Sequence, residues 1–287
     1  MVAKQSPVRP ARKAPIAPVR RPPVKRRTRP RLWAGALALA LLAGATALTL
    51  SLVGGHGSAS AAAPPVTPSI SPDSLATVET VDGAALPVRE YELFLSQDRA
   101  ETFAYFQQHD GVGDSATFWT TPHGGQTPTA YIKRVALADA TTAVVQQVLA
   151  TKYGIVSGFT YAGFLEAWQA QNASRASALA ANQVIYGPTS YTESDYFTYV
   201  SDQMSEQLQT TLTSKGVIKP TDAALESYYN THKSQFTSSG GPVSFGEEKS
   251  VVQQYYVQAA YTTLVAQQTK QATVHVDQSV LAAITIS

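Results

Sequence analysis

Residues 32–53 run for 22 positions without a charge and are rich in Leu and Ala. At about 1.5 Å per residue, a helix over this run is about 33 Å long, enough for the hydrocarbon core of a bilayer. A chain with such a run is divided by it, and its charges are divided in the same place. Eleven of the 22 Lys and Arg lie within residues 1–31, which hold no acid, and the first acidic residue is Asp73. From Asp73 onward 11 bases stand against 20 acids, a formal charge of −9 concealed in the overall +2. The basic flank keeps the N-terminal side in the cytoplasm and sends the remainder outward. A folded part this acidic repels phosphate backbones, which argues against a nucleic-acid role.

A cleaved signal peptide is the competing reading of the apolar run. Ser58, Ala59, Ser60, Ala61, Ala62 and Ala63 offer small-residue cleavage sites. Against cleavage, the run exceeds the usual ~7–15 apolar residues and its basic leader is long. The leader also holds seven prolines (Pro7, Pro10, Pro15, Pro18, Pro22, Pro23 and Pro30). They lack amide donors and favour extended backbone, so this tail is expected to be disordered. Each of its cations near an anionic leaflet contributes about 1 kcal/mol of attraction. The expected layout is a basic cytoplasmic tail at 1–31, a transmembrane helix at 32–53, a Gly/Ser/Ala/Pro-rich linker at 54–74, a folded domain at 75–277 and a tail at 278–287. The chain has no cysteine, which excludes disulfides, thiolate chemistry and a lipidated N-terminal Cys.

Within the domain the apolar periodicity is mainly helical, and the fold class is mainly α. Thr77 to Val81 alternates as a strand and ends at Asp82-Gly83, a turn signal; Pro87 then suits the first turn of a helix running to about His109. Tyr91, Phe94, Leu95, Phe103 and Phe106 fall on one broad face of that helix. Gly111, Gly113, Gly124 and Gly125 bracket a long loop, and Thr127-Pro128 starts a second helix that continues toward Tyr153. A third spans about Tyr161 to Asn182. Thr192 with Asp195 and Ser244 with Glu247 read as capping boxes for two more helices, the last ending near Lys270. Thr273 to Val276 alternates again and is expected to pair with Thr77 to Val81, joining the two ends of the domain.

Between these helices lies Pro220-Thr221-Asp222-Ala223-Ala224-Leu225-Glu226-Ser227-Tyr228-Tyr229-Asn230-Thr231-His232, with Phe236 four residues on. This stretch resembles the hinge of the SurA/PrsA family of secretory foldases, which reads P-T-D-x-x-L-x-x-Y-Y-x-x-H-x-x-x-F. The opening Val81-Asp82-Gly83-x-x-Leu86-x-Val88-x-Glu90-Tyr91 is similar to that family's V-N-G-x-x-I-x-x-x-E-F entry. Phe118-Trp119-Thr120-Thr121-Pro122-His123-Gly124-Gly125 and Gln183-Val184-Ile185-Tyr186-Gly187-Pro188 resemble a Gram-positive branch of foldase-like proteins. In the family the hinge leads into a parvulin-type prolyl isomerase domain of roughly 100 residues. Here residues 237–243 alone separate the hinge from the closing helix. The resemblance therefore implies a SurA-like binding body without the catalytic domain.

That body is expected to hold unfolded or newly exported polypeptides, with aromatic side chains supplying contact area at small entropic cost. The candidate contacts are Phe118, Trp119, Tyr161, Phe164, Trp168, Tyr255 and Tyr256; at helical spacing, core packing competes with client contact for each. The alternative is a cell-envelope scaffold that binds one dedicated folded partner. An enzyme has little support. His56, His109, His123, His232 and His275 form no metal-binding spacing, and no G-x-S-x-G, S-x-x-K or phosphate-binding glycine loop occurs. His123, beside Gly124-Gly125, is the most site-like of the five. Glu247-Glu248 suits a helix start, where the dipole favours carboxylates. No cofactor or metal is expected, and the partners expected are exported polypeptides and the membrane.

Overall fold

Backbone pairing starts at Asp82-Gly83, where both residues take positive φ, 50° and 84°. That combination matches the right-handed twist of a two-residue hairpin, and glycine reaches the second position without strain. The chain therefore doubles back immediately, and β2 (Ala84–Pro87) lies antiparallel to β1 (Thr77–Val81) before any helix begins. The expected pair of strands is thus a three-stranded antiparallel sheet of order β2-β1-β5, with β5 at Val274–Val276. Pro87 ends β2 and caps α1 instead of occupying its first turn. The expected pairing of the two ends of the domain is present: Glu79, Thr80 and Val81 face Val276, His275 and Val274.

The computed structural model describes residues 69–238 and 241–286, which fall in one compact unit. The basic tail, the apolar run at 32–53 and most of the linker lie outside the described residues. Among the described residues no helix is long and apolar enough to cross a membrane.

The helices begin where short-range chemistry directs them. They are α1 (Val88–Asp110), α2 (Pro128–Lys152), α3 (Tyr161–Ala180), α4 (Glu193–Ser214), α5 (Asp222–Thr231) and α6 (Phe245–Gln271). The hydroxyls of Thr127, Thr160, Thr192 and Thr221 each accept an amide N–H of the first turn. Each satisfies a donor that the helix leaves free. Ser244 and Glu247 form a complete capping box at α6.

The main core is built where α1, α2 and α4 meet the sheet. Val78, Val81, Leu86, Tyr91, Ile132, Ala136, Val144, Leu208 and Leu212 are fully buried there. α6 crosses two clusters: Tyr261 and Val265 join the main core, while Val252 packs with Leu225, Tyr229 and Phe236 of the hinge. A two-residue hairpin pair, β3 (Thr237–Ser238) and β4 (Gly241–Pro242), carries the chain from the hinge to α6. Residues 278–286, read as a tail, belong to the body. They form α7 (Gln278–Ala283), Ile284 is 2% exposed in the main core, and Ile70 N donates to Ala283 O at 3.1 Å.

Candidate functional site

A groove of about 620 Å³ runs between α2, β5 and α7. Its lining is largely aliphatic: Ala130, Leu137 and Ala138 from α2, Val274 and Val276 from β5, Leu281 and Ala282 from α7. Two polar bonds lie along it. Thr141 Oγ1 donates to Glu79 Oε1 at 2.7 Å beneath the strand, and Lys133 Nζ donates to Leu281 O at 2.7 Å beside α7. Burial pushes the Glu79 carboxyl up, partly offset by the Thr141 hydrogen bond, and burial pulls the Lys133 ammonium down. Arg134, at the same end as Lys133, is exposed and makes no ion pair among the described residues.

The strand beside this groove is an edge. Asp82 N donates to Thr273 O at 2.9 Å and Asp277 N donates to Val78 O at 2.8 Å. Backbone direction alternates along an antiparallel strand, so residues 273, 275 and 277 turn toward β1. Val274 and Val276 consequently turn their N–H and C=O groups away from the sheet, and these make no hydrogen bond to another described residue.

The seven aromatic candidates lie in three separate places. Phe118 is 1% exposed, with its ring 5.1 Å from Phe103 and 6.1 Å from Phe106, so it anchors the loop before α2 to the end of α1. Tyr161 and Phe164 are buried as well, stacked on each other and packed against Tyr196 and Phe197. Phe118, Tyr161 and Phe164 are therefore corrected to core residues, because α1, α3 and α4 close over them and leave no surface for a client. Trp119 is half-buried under the Arg99 guanidinium, 4.6 Å from its ring centre. Trp168 Nε1 donates to Tyr191 O at 2.9 Å. Tyr256 packs on Tyr228, and Tyr255 is exposed beside Phe236. None of these four lines the groove.

Tyr161 also belongs to a polar clamp. Arg89 donates to both oxygens of Glu193 at 3.0 and 2.7 Å, and the Tyr161 hydroxyl donates to Oε1 at 2.5 Å. Burial would raise the Glu193 carboxyl, but the bonds from Arg89 and Tyr161 outweigh it and hold it below the usual range. The clamp ties α1, α3 and the start of α4 together.

The loop after α3 presents the most exposed apolar side chains of the described residues, Val184 at 82% and Tyr186 at 88%. Its backbone is held from below. Arg175 donates to Pro188 O and, at 2.6 Å, to Tyr186 O, while Asn172 exchanges two bonds with Tyr191. Exchanging Arg175 for Met removes several charge-assisted bonds, each worth about 1.5–3 kcal/mol. We expect Arg175→Met to raise the rate of protease cleavage in this loop several-fold; an unchanged rate would show that the loop is ordered without the guanidinium.

His123 fits packing more than chemistry. Its ring lies 6.0 Å from Phe106 and 6.4 Å from Phe118, and Nε2 is buried without a hydrogen-bond partner. Among the described residues no group of three His, Cys, Asp or Glu is placed to hold a metal. The groove and the open edge escaped sequence reading, although the alternation at 273–276 marks the strand that carries them. No family model, curated protein or solved structure matches this chain.

Proposed function

We propose that the protein is a membrane-tethered extracytoplasmic chaperone whose SurA-like helical body holds unfolded or newly exported polypeptides without catalysing prolyl isomerisation. The observation that carries this reading is the aliphatic groove beside an unpaired strand edge, a combination suited to an extended chain and not to a compact metabolite. The resemblance of the hinge supports it, together with the short β3–β4 link from α5 to α6. In this reading residues 32–53 tether the body to the membrane, and the basic tail lies against the anionic cytoplasmic leaflet.

Light scattering by a reduced, unfolding model protein tests the proposal, with the full-length chain held in detergent micelles. Suppression at near-stoichiometric ratios is the expected result. No suppression at several-fold excess, or measurable acceleration of prolyl isomerisation, would overturn it.

The pinned loop bearing Val184 and Tyr186 favours a second reading, an envelope scaffold with one folded partner, because a rigid apolar projection suits a preformed surface. Crosslinking in the membrane separates the two: one dominant partner supports the scaffold, a spread of unrelated clients the chaperone.

A further inference from the structure

The β5 edge offers four backbone groups in the plane of the sheet, the N–H and C=O of Val274 and of Val276. Backbone groups spaced in this way are matched by another extended backbone, which is how peptides add to exposed sheet edges. The side chains agree with the edge. Val274 and Val276 share one face, with Val81 and Glu79 opposite them on β1, and both line the groove. A strand laid against β5 would direct every second side chain into that groove, over Ala130, Leu137 and Ala138. At the far end stand Lys133 and the exposed Arg134, which makes no ion pair among the described residues. The opposite edge of the sheet offers less, since β2 ends in Pro87, which has no N–H to donate.

We propose that β5 receives an extended polypeptide segment as a fourth, antiparallel strand, with alternate aliphatic side chains in the α2 groove and a carboxylate at the α7 end. The proposal rests on the chaperone reading and deepens it, by stating what part of a client is held and how. β5 runs toward α7, so an antiparallel guest has its N-terminal end beside Arg134. In such a pairing the guest residues opposite Val274 and Val276 turn their N–H toward β5 and their side chains toward the groove. The guest's aliphatic positions and its hydrogen-bonding positions are therefore the same residues.

The test uses full-length protein in micelles and a fluorescent octapeptide of alternating Val and Thr with an N-terminal Asp. N-methylation of the Val residues is expected to weaken binding at least about tenfold, whereas N-methylation of the Thr residues leaves it nearly unchanged. On the protein side, Val276→Pro removes an outward N–H without touching the bonds to β1, a position where edge strands tolerate proline. It should lose at least about tenfold in affinity, and Val276→Thr should retain binding. Equal binding of both methylated peptides overturns the proposal, and that comparison decides the matter even if Val276→Pro does not fold. Aggregation suppression that survives in folded Val276→Pro, with unchanged peptide affinity, removes the strand site and leaves the chaperone reading standing. Peptide binding with the methylation pattern described, but without aggregation suppression, does the reverse.

Discussion

Phe118→Ala is expected to destabilise the body by about 3–5 kcal/mol, the range for removing a buried aromatic ring from a packed cluster. The ring touches residues of α1 and its own loop, with Phe103, Phe106, Trp119 and His123 all within 6.4 Å of its centre. Phe103 and Phe106 are carried on α1, whose backbone limits how far their rings can move into the space that Phe118 leaves. For a body of this size the loss corresponds to a fall in Tm of roughly 10 °C. On the proposed chaperone reading, affinity for unfolded polypeptide below that temperature should match the unsubstituted protein. A Tm change under about 2 °C would overturn the assignment of Phe118 to the core.

Glu90 governs the second large effect. The side chain is fully buried on α1, its Oε1 accepts Gln147 Nε2 at 2.8 Å, and its Oε2 has no partner. Burial raises the carboxyl from the usual 4.5 to about 7, against the lowering effect of the Gln147 bond. The folded protein thus holds this proton more tightly than the unfolded chain. The stabilising contribution is complete below about pH 4.5 and is lost as pH rises through about 7. A difference of about 2.5 units corresponds to about 3 kcal/mol by pH 8. Asp98 acts in the same direction: burial first, then Asp139 and Glu101, push it up to about 7.

Glu90→Gln presents Gln147 with the same acceptor and carries no charge, so at pH 8 it should be more stable than the unsubstituted protein by about 3 kcal/mol. At pH 4.5 the two should be nearly equal. Urea unfolding at a series of pH values between 4.5 and 8 measures this. Two stability curves with the same slope across that range would refute a buried, proton-holding Glu90.

The local features were legible in the residues themselves. Thr127, Thr192, Thr221 and Ser244 mark helix starts because a cap needs only a hydroxyl and an amide within one turn. Alternation at 77–81 and 273–276 identifies two strands that pair, and Val252, Tyr256, Ala260 and Leu264 recur every four residues along α6. Strand β2 was less visible, since Ala84 to Pro87 is short and ends in a residue that equally well opens a helix.

Long-range burial was not legible. For Phe118 in a glycine-rich loop and Tyr161 at a helix start the local pattern leaves core and client contact both open, and rings more than ten positions away in the chain decide for the core. Trp119, Trp168, Tyr255 and Tyr256 carry the same local pattern and remain wholly or partly accessible. The sequence alone determined the helical character of this body, its capped starts and the meeting of its ends, because each depends on residues within a turn or on a simple alternation. Only the tertiary structure decided which aromatics are core, that residues 278–286 fold back with Ile284 into the interior, and that β5 keeps a free edge above a groove. Burial and edge exposure depend on contacts between segments far apart in the chain, which no local pattern of side chains records.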